Sequence, residues 1–267
     1  MIINPVGVSA MRLVRGAVVW MATAAALAAP AVAHPTSAAL QGRFTRGEYM
    51  EAAKEAEAAA GADDLAFAAR SLLAHCMTGA REPEAAVIDR ALKDAEAALK
   101  IDPGHEEGRL QLAIAMSLKT RAMDPMDAWS KGYGEKGRKL ANDVLKSDPR
   151  SYYAHGFLAV WNVEVRGRGG PVGAGIMGAS LDAARRHYDE AASLAADDVG
   201  IHWQYGRALA ALDAVKYGEE AAEVLARAAG ATAGDHVEKV MQTRAMELAK
   251  MLKLDRAAAQ KLARKML

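Results

Sequence analysis

The chain has 267 residues, 52% hydrophobic but only 5% aromatic, with 34 Lys and Arg against 33 Asp and Glu and a formal net charge of +1. That balance excludes a strongly basic nucleic-acid binder and an acidic disordered tail, so no nucleic-acid partner is expected. A single cysteine excludes a disulfide framework and a multi-cysteine zinc module.

In chain order, the first element is an address. Arg12 and Arg15 precede an uncharged stretch at 16–33 that is rich in Ala and Val and closes on Ala31-Val32-Ala33. This is the basic start, apolar centre and small-residue ending of a secretory signal peptide. Cleavage after Ala33 is expected, placing the mature chain in the periplasm or outside the cell. No second apolar run of that length follows, which predicts a soluble mature protein. The expected organisation is a signal peptide at 1–33, a helical domain at 34–234 and capping helices at 235–267.

Beyond the leader, Ala, Leu, Glu, Lys, Arg and Met dominate, residues that lose little rotamer freedom in a helix. Alternating β-branched runs are nearly absent, so the predicted class is all-α. Small residues recur at i, i+4 and i+7: Ala52, Ala56, Ala59; Ala91, Ala95, Ala98; Gly137, Ala141, Val144; Ala184, Tyr188, Ala191; and Ala221, Leu225, Ala228. Such stripes let two helices approach closely. Lys100-Ile101-Asp102-Pro103 and Lys146-Ser147-Asp148-Pro149 predict two helix stops of the same design, since proline cannot continue the ladder. The segments 106–119 and 152–165 then read as first helices of new hairpins. Gly156, after His155, and Gly206, after Tyr205, occupy similar places in two first helices.

This pattern resembles the tetratricopeptide repeat, and 91–103 carries the likeness best. The resemblance implies a degenerate helical-hairpin solenoid of four to five repeats. Two long inter-helix insertions, at 121–135 and 167–178, stretch its period. Positions 136–229 also resemble the repeat region of regulator of microtubule dynamics proteins, through Lys139 to Pro149, His155, Trp161, Gly167, Ala179-Ser180, Tyr188, Ala191 and Leu194. That likeness implies a fold variant; a microtubule partner does not suit an exported chain. In compartment and architecture the chain is also similar to the T-component proteins that partner substrate-binding proteins of tripartite transporters.

A curved array of this kind presents a concave face, expected here to bind an envelope protein or peptide without catalysis and without a cofactor. The residues expected along that groove are Tyr152, His155, Trp161, Arg166, Arg168, His202 and Tyr205. Tyr153, Phe157 and Trp161 step by four and read as a stripe for burial, with Tyr152 and His155 off it. The alternative is a small-ligand or anion site in the glycine-rich insertion 166–178, where loop amides at a helix start and Arg166 and Arg168 would receive the charge. That insertion contains Gly173-x-Gly175-x-x-Gly178, but a dinucleotide fingerprint needs a preceding strand and none is predicted. No H-E-x-x-H or C-x-x-C is present, so no sequence-local metal site is expected. Cys76 lies in an apolar helix face and reads as a buried thiol. The basic stretch 244–267 reads as a cap, with weak membrane-surface contact as the rival.

Overall fold

The computed structural model describes residues 37–79 and 83–266; the leader and its Ala33 cleavage point lie outside them. Among the described residues the regular structure is helical throughout, with twelve helices and no strand. They are α1 (Ala38–Arg46), α2 (Tyr49–Ala59), α3 (Ala62–Thr78), α4 (Ala85–Ile101), α5 (Glu106–Arg121) and α6 (Pro125–Ser130). There follow α7 (Tyr133–Ser147), α8 (Tyr152–Met177), α9 (Leu181–Leu194), α10 (Val199–Gly230), α11 (His236–Leu254) and α12 (Arg256–Lys265).

Helix starts are written in the sequence. Ser37, Asp124, Ser151, Ser180, Asp198, Asp235 and Asp255 each accept a hydrogen bond from a first-turn backbone N–H through their own side-chain oxygen. Each such cap stabilises its helix by about 1 kcal/mol. The two proline stops are matched: Asp102 sits at φ −128°, ψ 98° and Asp148 at φ −127°, ψ 92°, both extended as a residue before proline must be.

Consecutive helices pack on one another: α2 on α3, α3 on α4, α4 on α5, α5 on α7, α7 on α8 and α8 on α9. A second set of contacts joins α3 to α5, α5 to α8 and α8 to α10, forming one continuous layer. The small-residue stripes lie in the seams. Ala91, Ala95 and Ala98 are wholly buried, as are Ala184 and Ala191 flanking Tyr188, and Ala221, Leu225 and Ala228. The exception is Ala59, which is exposed at the last residue of α2.

Two helices bend where one residue leaves helical geometry. In α10 the break is Asp213 (φ −161°, ψ 97°), whose Oδ1 accepts from the N–H groups of Val215 and Lys216 at 3.0 Å and so starts a second arm. The arms fold together closely enough that a Cβ on Gly206 would stand 2.9 Å from Leu225 Cγ. This is the hairpin expected from Gly206 and the Ala221 stripe, with a single-residue turn.

In α8 the break is Gly170 (φ 60°, ψ −166°), followed by Pro171, whose missing N–H costs little at the start of a new segment. The glycine-rich insertion is therefore a helical continuation of α8 beyond a kink, and the other insertion holds the short helix α6.

The C-terminal helices do more than cap α10. α11 also packs against α1 and α3, bringing Tyr49 Oη to 3.2 Å from His236 Nδ1. Arg244 donates to the carbonyls of Met77, Thr78 and Gly79 at the end of α3. Arg121 Nη2 donates to the carbonyls of Arg264 (3.1 Å) and Met266 (3.0 Å) at the end of α12. The array thus folds back on itself around a cavity that stays open along one rim. Cys76 is buried in the N-terminal core, and burial pushes its thiol up to about 11. No helix among the described residues is long and apolar enough to cross a membrane.

Candidate binding cavity

The cavity has a volume of about 680 Å³ and is walled by α3, α5, α8, the leading arm of α10 and α11, with α6 at one side. Its lining follows one face of α8: Tyr153, Phe157, Val160, Trp161, Glu164, Val165 and Arg168, spaced at i+3 and i+4. Beyond the kink Val172 and Ile176 continue that lining, while Ile114 and Leu118 of α5 and Met126 and Trp129 of α6 add to it. Met126, Trp129, Val172 and Ile176 are at least half exposed, so the two insertions build an apolar rim.

Two groups of charge mark the wall. Asp198, Asp235 and Glu238 lie where α10 and α11 begin. Asp198 accepts from Ile201 N–H at 2.7 Å, Asp235 from Glu238 N–H at 2.9 Å and Glu238 from Gly234 N–H at 2.6 Å. Burial pushes Asp198 and Glu238 above the ordinary carboxylate range, with Asp235 adding to both. These acids serve the helix starts.

The second group lies nine residues further along α10, about 13 Å at the helical rise. Arg207, only 2% exposed, donates through Nη2 to Glu164 Oε1 at 2.6 Å and through Nε to Gln204 Oε1 at 3.1 Å. Arg121 Nη1 stands 3.7 Å from the same Glu164 oxygen. Arg168 reaches across from α8 to the end of α5, donating to Thr120 Oγ1 (3.1 Å), Thr120 O (2.6 Å) and Met123 O (3.1 Å). Burial pushes the Glu164 carboxyl up, but Arg207, Arg121 and Arg168 outweigh it and hold it below its ordinary value. Burial, and then the nearby Arg207, push Arg121 down to about 10, so it stays charged at neutral pH.

Of the residues expected in the groove, Trp161 and Arg168 line the cavity; Tyr152, His155, Arg166, His202 and Tyr205 lie elsewhere. Trp161 is 5% exposed, donates Nε1–H to Gly134 O at 2.9 Å and lies under the Arg138 guanidinium, 5.3 Å from its ring centre. Arg138 in turn donates to Met177 O at 2.6 Å, tying the kinked end of α8 to α7. His202 and Tyr205 are buried core residues. The carbonyl of Ala196 can only accept, so His202 Nε2 carries the hydrogen (2.8 Å) and its Nδ1 accepts from Tyr188 Oη at 2.9 Å. Tyr205 stacks on Tyr188 at 4.3 Å between ring centres.

His155 donates Nε2–H to Pro149 O at 3.1 Å and faces His187, with Nδ1 atoms 2.9 Å apart. Burial, with His155 nearby, pushes His187 down to about 4. The faces of α8 differ in part from the expectation: Tyr153 and Phe157 look into the cavity and His155 looks toward α9, while Trp161, the third member of the stripe, is buried as expected.

The glycine-rich segment is a kinked helix where a loop is expected. From Pro171 to Met177 the backbone is helical, and Gly178 is a left-handed C-cap whose N–H bonds back to the carbonyls of Ala174 and Gly175. Of the two arginines assigned to that loop, Arg168 turns instead to the end of α5.

Sequence reasoning misses the charge cluster because its members come from three helices far apart in the chain. One signal is available: Glu164 is the only acid in α8, set between Val163 and Val165. Among the described residues no group of three or more His, Cys, Asp or Glu side chains is placed to hold a metal ion. No protein-family model matches the chain, and no curated protein matches it.

Proposed function

We propose that this chain is an exported, tetratricopeptide-like helical-repeat protein that binds a ligand in its interior cavity and performs no catalysis on it. The observation that carries the reading is the cavity of about 680 Å³, apolar over most of its wall, with a few convergent charged groups. Binding sites for small molecules share that size and that mixture. Closure of α11 against α1 and α3 supports a contained ligand over a long open peptide groove. The test is native mass spectrometry of the full chain recovered from envelope extract, with N-terminal sequencing of the same sample. A non-covalent adduct that disappears on denaturation, on a chain beginning at His34, is the expected result. Adduct-free protein together with no thermal stabilisation by any member of a small-molecule set would overturn it.

A second reading, an adaptor for an envelope protein, is favoured by the apolar rim of Met126, Trp129, Val172 and Ile176. Exposed apolar groups that gather at a cavity mouth suit a partner that delivers or receives the ligand. Crosslinking from a photoreactive group at Trp129 separates the two: an adaptor yields a protein adduct, and a ligand store yields none.

A further inference from the structure

We infer that the ligand is an apolar molecule bearing one oxyanion group, seated with that group against Arg121, Arg168 and Arg207 and its apolar body along α6 and α8. This rests on the cavity being a binding site and adds the head-group chemistry and the orientation.

The argument begins with charge. Among the described residues the guanidiniums of Arg121, Arg168 and Arg207 gather around one carboxylate, Glu164, a local surplus of two positive charges at this part of the wall, apart from the acids Asp198, Asp235 and Glu238 at the helix starts. Arg207 is buried and Arg121 half-buried, and like charges held out of water are costly unless compensated, while exposed Arg168 adds a third that a ligand can reach. The carbonyls that Arg121 and Arg168 reach fix their positions but carry no net charge to offset the surplus. Arg121, whose charge burial disfavours first, also stands beside both other arginines, which disfavour it further against the opposing pull of Glu164. An oxyanion placed among them supplies what is lacking, and the planar guanidinium fork matches carboxylate or phosphate oxygens.

The apolar half of the ligand follows from what surrounds the cluster. On α8, Val165 precedes Arg168 by three residues and Val172 follows it by four, and both line the cavity. Trp129 and Ile176 extend that surface to the rim. A fully polar anion such as free phosphate would leave this surface uncovered, whereas a chain or ring attached to the head group covers it.

The experiment is isothermal titration of the full chain at neutral pH with four probes: dodecanoate, dodecyl phosphate, dodecanol and inorganic phosphate. At least one of the two anionic amphiphiles is expected to bind at least tenfold more tightly than dodecanol or inorganic phosphate. Comparing the two separates a carboxylate head from a phosphate head. Arg168→Gln, at an exposed position, is expected to weaken that probe about tenfold and leave dodecanol unchanged. Glu164→Gln raises the surplus to three and is expected to tighten it. Dodecanol binding as well as the anions, or indifference to both substitutions, would overturn the head-group assignment while leaving the cavity reading intact. No binding by any probe would overturn the assignment too, and an adduct in the native spectrum would still uphold the cavity.

Discussion

Along α4, Ala91, Ala95 and Ala98 are fully buried and bring no side-chain polar atom with them. Along α8, buried Trp161 is followed within one turn by Glu164, which meets Arg207 and Arg121 from two other helices. The seam at α4 gains from close approach alone, so any added volume hurts it. The wall at α8 keeps large and charged groups that a stability optimum would replace, since a buried ion pair is often no better than an apolar pair of similar size. The wall carries the functional reading because its charged groups meet at a cavity, and the seams carry the fold.

Four substitutions sharpen that contrast. The largest effect is expected from Arg207→Ala, which strips Glu164 of its closest partner; breaking a buried pair costs on the order of 3 kcal/mol, read as a lower denaturant midpoint. Replacing Arg207 and Glu164 together by Met and Leu is expected to recover most of that loss, as a functional rather than structural pair should. Gly206→Val comes next. Its side chain would meet Leu225 and Val224 inside α10, and overpacking of that kind costs about 1–3 kcal/mol.

Asp94→Asn is third and tests a seam that departs from the alanine pattern. Burial, and then Glu57, push the Asp94 carboxyl from 3.8 up to about 7, against the smaller opposing pull of Arg90 and Lys93. The folded chain therefore holds a proton that the unfolded chain releases between about pH 4 and 7. This contribution is present at acid pH and is lost as the pH rises through that window. Asp94→Asn is expected to remove that slope and raise stability at pH 8, measured as unfolding midpoints across pH. The smallest effect on stability belongs to Trp129→Ala. At 55% exposure it should shift stability by less than about 0.5 kcal/mol while weakening capture at the rim.

The seams were legible in the sequence because close helix packing demands small residues at a fixed period, and Ala91, Ala95 and Ala98 satisfy it without help from distant parts of the chain. Asp102-Pro103 and Asp148-Pro149 were legible for the same reason: their effect is local. The wall was not. Tyr153, Phe157 and Trp161 have the spacing of a core stripe, and periodicity cannot tell a filled interior from a hollow one. The glycines at 167–178 read as a loop by composition, yet the segment to Met177 is helical, and Arg138 of α7 donates to the Met177 carbonyl at its end. Arg121, Glu164 and Arg207 meet only because α5, α8 and α10 share a layer, which is a property of topology.

The contact between Tyr49 and His236 spans 187 positions of chain. An open stack of hairpins can assemble one unit at a time from any point, because each unit needs only its neighbours. Here the enclosing surface is finished only when α11 returns to α1 and α3, a long-range step whose entropic cost falls due before its contacts reward it. The chamber therefore depends on the most distant contacts of the chain, and loosening the tail is the shortest way to widen it.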